Sequence, residues 1–195
     1  MNLGGEYYSD AQLRAAGFRS LGTNVKIHNR ASLYQVENIS VGDNVRIDDF
    51  AIIIATGPVD IGSYVHVPNY CYIAAGCGVT LHDFVTLAPG VQIFTKSDDY
   101  SGVRMTGPLV PTEYAGGRAG HVTLGKYVIV GTNTVILPDC RLGEGCSVGA
   151  LSLVKTDLEP WTVYAGAPVR KIAERKRDLL ALRQKFNSDG NTIKE

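Results

Sequence analysis

Three consecutive polar residues, Ser97-Asp98-Asp99, followed by Tyr100, stand near the start of TKSDDYSGVRMTGPLVPTEYAGGRAGH (95–121), a stretch rich in glycine, proline and polar groups. A carboxylate in such a place can hold a donor group or take up a proton through water. The same side chains also bond their own backbone in Asx-type turns. Asp98 is the better candidate for chemistry, because Asp99 can do the turn work. Imidazoles are the other group able to move protons near neutrality. His28 reads as a surface residue early in the chain, and His121 ends the 95–121 stretch, where a structural role is at least as fitting. His66 and His82 are the more interesting pair. The four histidines are spaced 38, 16 and 39 residues apart.

These residues are carried by a repeat. Aliphatic side chains fall at Leu21, Ile27, Leu33, then Val41, Ile47, Ile53, then Ile61, Val67, Ile73, then Leu81, Leu87, Ile93. The series resumes at Leu124, Val130, Ile136, Leu142, Val148 and Val154. The step within each triplet is six, and eight between the first four triplets, so those turns are 20 residues long and the last two are 18. Neither the 3.6-residue period of a helix nor the two-residue period of a strand requires this unit. A solenoid with three short strands and three corners per turn does, each sixth residue pointing inward and stacking on the next turn. Four places after each aliphatic come mostly small residues, among them Val25, Ala31, Gly57, Cys71, Cys77, Cys140 and Cys146. The four cysteines therefore read as small core residues on neighbouring faces, beyond the roughly 4.4–6.8 Å between Cα atoms that a disulfide spans. On this register His66 lies at an edge of the third turn. His82 takes a corner place held by Gly42 and Gly62 in other turns and should project outward.

Three segments lie outside the repeat. In residues 1–19, Ser9-Asp10-Ala11-Gln12 forms a capping box and Gly17 a stop, which predicts a short helix over 10–16. The coil spans 20–165, interrupted by the 95–121 loop, and loops this long inside compact domains are usually functional or disordered. In 166–195, Ile172, Leu179, Leu182 and Phe186 make one apolar stripe after Pro168, predicting an amphipathic helix, with fraying from 187 onward. Nineteen basic against nineteen acidic residues leave no net charge, which argues against nucleic-acid binding by counterion release. With 45% hydrophobic residues the chain can bury a core and is neither disordered nor collagenous. No apolar run approaches the roughly 20 residues of a membrane span, and MNLGGEYYSD has no leader-like character, so the cytoplasm is the expected compartment.

The hexads, with Ile, Val or Leu followed by Gly-Asp-Asn or Ala-Pro-Gly, resemble those of the hexapeptide-repeat acyltransferases over about residues 20–172. The resemblance implies an all-β solenoid, a left-handed parallel β-helix of about six turns, acting as a homotrimer with sites at subunit interfaces. GALSLVKTDLEPWTVYAGAPVRKI is similar to that family's last coil and exit. IFTKSDDYSG with MTGPLVPTEY resembles the branch that acylates nucleotide-linked 4-amino-4,6-dideoxy sugars for surface polysaccharide or O-antigen. YVHVPNYC is similar to another stretch of that branch. Galactoside and maltose O-acetyltransferases carry a catalytic histidine in the equivalent loop; alignment on LAPGVQIFT puts that position at Ser97.

What the resemblance implies chemically fits that difference. A sugar hydroxyl needs a good general base before it attacks a thioester, whereas a neutral amine needs only positioning and a weak proton acceptor. N-acylation, most simply acetyl transfer from acetyl-CoA, is therefore expected over O-acetylation, and a non-catalytic scaffold would need neither the loop nor the terminal run. Asp98, His66 and Ser97 are the expected catalytic residues, with Asp99, Tyr100 and His82 at the acceptor. Gly131, Thr132, Gly149, Ala150 and Ser152 are expected along the pantetheine arm, and Lys155, Arg170 and Lys171 at the coenzyme A phosphates. Zinc chemistry of the γ-carbonic anhydrase type is not expected despite Arg46-x-Asp48.

Overall fold

The computed structural model describes residues 4–190. The chain winds into the expected left-handed parallel β-helix, a three-sided prism. Face A stacks Ser20–Leu21, Ile39–Val41, Val59–Ile61, Val79–Leu81, Val122–Leu124 and Arg141–Leu142. Face B stacks Lys26–Ile27, Arg46–Ile47, His66–Val67, Thr86–Leu87, Ile129–Val130, Ser147–Val148, Thr162–Ala165 and Arg170–Glu174. Face C stacks Ser32–Tyr34, Ile52–Ile54, Tyr72–Ala74, Gln92–Phe94, Val135–Ile136 and Leu153–Val154. The register is that of the hexads: Leu21 lies on Val41, Val41 on Ile61, Ile61 on Leu81, Leu81 on Leu124 and Leu124 on Leu142. Six complete coils result, and Leu158 with Thr162–Ala165 begins a seventh.

Most strands of the coils are two or three residues whose alternate side chains point inward, so the core is a column of mostly aliphatic side chains. Corner residues carry the change of direction. Asn24, Asn44, Tyr64, Phe84, Tyr127 and Trp161 hold φ between 52° and 62° at the corner between faces A and B. Left-handed backbone at a non-glycine residue costs roughly 1–2 kcal/mol. Side-chain stacking offsets it: ring centroids lie 5.0 Å apart for Tyr64–Phe84 and 5.2 Å for Phe84–Tyr127, and the Asn24 amide donates to Asn44 at 2.7 Å.

The small-residue places hold at two corners and shift at the third. Between faces C and A the eight-residue step moves the inward position to Ala55, Ala75 and Thr95, fully buried, while Gly57 and Cys77 are only half-buried. The four cysteines are unpaired, and burial pushes the thiols of Cys71 and Cys146 up to about 12 and that of Cys140 to about 11.

Helix α1 spans Asp10–Ala15, with Ser9 as N-cap and the capping box formed with Gln12. The C-terminal extension departs from expectation. Arg170–Glu174 is a strand, antiparallel to Thr162–Ala165, and helix α2 spans only Leu179–Ser188. The last coil leaves a row of unpaired backbone groups, and the exiting chain satisfies them before it turns helical. Ile172 thus leaves the helical stripe and is exposed, while Phe186 packs edge-on against Tyr64 at 5.3 Å. Of the tail expected to fray, Asn187 and Ser188 are helical and 191–195 lie outside the described residues.

Candidate active site

The 95–121 loop is built on a rigid base. The buried Thr95 hydroxyl donates to the Ala74 carbonyl at 2.8 Å and accepts from the Cys77 amide at 3.0 Å. The chain then leaves the prism as an antiparallel ladder, Lys96–Asp98 against Gly117–Ala119, with Ser97 opposite Arg118 and Asp98 opposite Gly117. At Gly117 φ is 152° and a Cβ would stand 1.9 Å from the Ser97 carbonyl oxygen, so only glycine lets the strands close. Asp99 accepts from the Ser101 amide at 2.8 Å, the Ser101 hydroxyl at 2.6 Å and the Arg104 amide at 2.8 Å. The Ser101 hydroxyl, then these amides, hold its carboxyl down at about 2. Asp99 therefore does the turn work, and it lines the outer cavity beside Asp98. Asp98 is exposed and lines the cavities on both sides of the hairpin. One is a groove of about 1080 Å³ between the loop and face C, lined by Ser97, Asp98, Tyr100 and Arg118 with Tyr72, Phe94, Val135 and Leu137.

A second polar cluster lies on face B. Asp48, 9% exposed, accepts at Oδ1 from the Tyr7 hydroxyl (2.9 Å) and Arg46 Nε (2.6 Å), and at Oδ2 from His66 Nε2 (2.8 Å). Burial works to raise the Asp48 carboxyl, but the hydrogen bonds from His66, Arg46 and Tyr7 and the Arg46 charge outweigh it and hold it below the usual range. A carboxylate only accepts, so His66 Nε2 carries the hydrogen and a neutral ring presents Nδ1 as an acceptor. The repeat placed His66 directly over Arg46, a signal present in the sequence. Tyr7 gave none, because it comes from the segment before α1. That segment runs antiparallel across the first coil, Tyr8 N donating to Ile27 O at 2.9 Å and Asn29 N to Glu6 O at 2.8 Å. It also overturns the surface reading of His28, which is buried beneath it with Nδ1 accepting from Arg30 N at 3.1 Å and the Tyr7 ring edge-on at 5.5 Å.

The pH dependence of this cluster has a definite sign. A carboxyl held low when folded contributes stability that is present above its unfolded pKa, about 3.9, and is lost as pH falls through the folded value. Asp48→Asn should cost about 1–2 kcal/mol in urea unfolding at pH 7, with the gap to wild type closing below about pH 4. A gap that stays constant from pH 7 to pH 3 would show that the charge of Asp48 contributes nothing.

His82 projects outward from the A–B corner, as expected. His121 Nε2 sits 2.9 Å from the Thr80 hydroxyl and closes the loop onto face A. One chain does not bring Asp98, His66 and His82 together: the hairpin leaves the C–A edge, His66 lies on face B and His82 on the A–B corner.

The expected donor residues divide between two edges. Gly131, Thr132, Gly149 and Ala150 line the B–C edge of the fifth and sixth coils, and Arg170, paired with Ala165, lies exposed on the adjoining strand. Coil stacking alone already requires one of the small residues, since a Cβ on Gly131 would stand 2.4 Å from Ala150 N, while one on Gly149 would crowd Ala165 Cβ at 3.0 Å. Ser152 is corrected: it is buried, its hydroxyl donating to Ala150 O at 3.3 Å and accepting from Gly166 N at 3.1 Å, so it pins the corner from inside. Lys171 is held by Glu174 at 2.5 Å and Glu159 at 3.5 Å, which leaves Arg170 the more available cation. Lys155 lies on the opposite, C–A edge, where its carbonyl accepts from Arg118 of the loop at 3.0 Å. Among the described residues no group of three His, Cys, Asp or Glu side chains is arranged to hold a metal.

Comparison with known proteins agrees with this architecture. The model of the bacterial transferase hexapeptide (six repeats) matches residues 121–156. The dTDP-4-amino-4,6-dideoxy-D-glucose acyltransferase of Escherichia coli is 44% identical over 181 residues, 92% of this chain and 94% of that one. AntD, an N-acyltransferase from Bacillus cereus solved with dTDP and 3-hydroxybutyryl-CoA, superposes with a TM-score of 0.92 at 40% identity, over 96% of this chain and 100% of that chain. A serine-to-cysteine variant of AntD, solved with dTDP-4-amino-4,6-dideoxyglucose and coenzyme A, superposes with a TM-score of 0.88 at 39% identity, over 95% and 98%.

Proposed function

The chain belongs to the hexapeptide-repeat acyltransferase family, and from that premise we propose that it transfers an acyl group, most simply acetyl, from coenzyme A to the amine of a dTDP-linked 4-amino-4,6-dideoxy sugar. The observation that carries the reading is the hairpin. The alignment on LAPGVQIFT sets Ser97 against the histidine base of the O-acetyltransferases, and the exposed carboxylate of Asp98 stands beside it on the groove.

In the proposed reaction the sugar nitrogen attacks the thioester carbonyl carbon, forming the C–N bond and a tetrahedral oxyanion. The oxyanion collapses with loss of the C–S bond, and the departing thiolate finally takes the proton that the nitrogen gives up. Asp98 accepts a hydrogen bond from the amine, orients its lone pair and relays that proton. The amine arrives with its lone pair in place, so proximity and a proton sink supply most of what the protein must add. Ser97 and Tyr100 line the acceptor side. His66, whose Nδ1 is the acceptor nitrogen, is a second proton acceptor in this reading. On the donor side the B–C edge takes the pantetheine arm and Arg170 a phosphate.

We place the active species as a homotrimer. The outward side chains of face C include Ile52, Ile54, Tyr72, Ala74, Phe94, Val135, Leu137 and Leu153, whereas those of face A are Ser20, Ser40, Asp60, Thr80, Thr123 and Arg141. An apolar sheet face of that extent calls for a covering. Burying it against copies of itself would set the loop of one subunit beside the B–C edge of the next, joining hairpin and donor edge in one site. The proposed setting is a cytoplasmic step of surface-polysaccharide synthesis; no helix of the described residues is long and apolar enough to cross a membrane.

The reaction is tested by thiol release from acetyl-CoA with two acceptors that differ only at C4, the dTDP-linked 4-amino sugar and its 4-hydroxy counterpart. Release with the amine alone is expected. Equal release with the hydroxyl sugar would make the enzyme an O-acetyltransferase, and no release with any acceptor would leave a scaffold.

A further inference from the structure

We infer that Arg118 is a positioning residue that couples the acceptor hairpin to the last coils of the prism, an assignment that rests on the reading of Asp98 above. A two-stranded ladder is marginal in water on its own. Here it projects from the C–A edge with Asp98 in one strand and Gly117-Arg118 opposite. Gly120 N donates to Thr95 O at 3.0 Å and so closes the base of the loop, but that contact lies behind the ladder. Arg118 reaches forward instead. Its guanidinium donates to the Lys155 carbonyl at 3.0 Å and lies 3.9 Å from the Asp139 carboxylate.

Those two partners belong to successive corners of the C–A edge. Asp139 follows the face C strand Val135–Ile136 of the fifth coil, and Lys155 follows Leu153–Val154 of the sixth. One planar group therefore spans from the fourth coil, where the hairpin leaves, to the sixth. Among the described residues, no other side chain between 96 and 119 is hydrogen-bonded to the body of the prism. Asp98 and Arg118 both line the groove against face C, so this contact bears on the hairpin's angle to that face and on the groove's width. Lysine could reach the carbonyl as a point charge, whereas the guanidinium makes that hydrogen bond with one arm and keeps its other arm near Asp139. Arg118 thus acts through Asp98: it holds the carboxylate at the distance at which the amine and the thioester meet.

The test is a double-mutant cycle on the full-length protein, with thiol release from acetyl-CoA as the readout. Arg118→Gln should lower kcat about 10–100-fold, with the KM for acetyl-CoA changed less than twofold and the thermal midpoint near wild type. Arg118→Lys should recover part of that loss. In the Asp98→Asn background, Arg118→Gln should cost little more, because the group it positions is already disabled. Losses that multiply in the double variant, or a rise in the acetyl-CoA KM at unchanged kcat, would overturn the coupling and make Arg118 an independent donor contact. Wild-type kinetics for Arg118→Gln would do the same. If Asp98→Asn alone is silent, the reading of Asp98 falls first, and the cycle separates that failure from a failure of the coupling.

Discussion

Replacing Asp98 by asparagine should lower kcat/KM for the amino sugar by one to three orders of magnitude, a range scaled from the roughly 10²–10⁴-fold cost of removing a general base. The substitution keeps size and one acceptor oxygen but removes the charge that draws the ammonium proton away as the C–N bond forms. A neutral amide still positions the amine, which is why the expected loss lies at the lower end of the general-base range. Asp98 is exposed and opposite Gly117 in the ladder, so the thermal midpoint should stay near wild type. His66→Asn and His82→Asn should each cost less, since neither imidazole reaches the hairpin of its own chain. The measurement is steady-state kinetics at saturating acetyl-CoA. A silent Asp98→Asn beside a dead histidine variant would transfer the base role to that histidine, with the His66–Asp48 pair the obvious holder.

The second large effect concerns assembly. Ile54→Glu places one carboxylate per subunit on the apolar face proposed as the trimer contact. Burying an unpaired charge costs far more than a single apolar contact returns, so the face should separate. Sedimentation should move from about three times the 21.0 kDa chain to the monomer mass, with the β-sheet circular dichroism retained. Activity should fall at least about 100-fold, because hairpin and donor edge then lie on separate particles. A wild-type chain that sediments as a fully active monomer near 21 kDa would remove the trimer and the interface site together.

Much of this protein was legible in its sequence because a solenoid is nearly one-dimensional. Each coil touches only its neighbours, so the hexad spacing of Leu21, Val41, Ile61 and Leu81 fixed which side chains point inward, which strands pair and in what register. The capping box at Ser9 and the turn that Asp99 closes were local as well, set by residues within five positions of one another. Where the period changed, local reading slipped. The eight-residue corner moved the inward place from Gly57 and Cys77 to Ala55 and Ala75, and the chain after Pro168 became a strand because the last coil offered it an open edge.

The tertiary structure alone decided whatever depends on contacts outside the repeat. Tyr7 on Asp48, the segment covering His28, and Arg118 reaching the Lys155 carbonyl join positions 41, 21 and 37 residues apart in sequence. No periodicity links such positions, and their energies come from desolvation and geometry that exist only once the prism has formed. Ser152 shows the same limit from the other side. Its residue type suited a coenzyme contact, but the direction of its side chain, inward to Ala150 O and Gly166 N, is fixed by the corner it closes. The sequence by itself thus determined the coil, the loop and the residue types at the groove. The folded chain decided which of them face one another, because hexad periodicity specifies stacking along the axis and says nothing about what crosses from one edge to another.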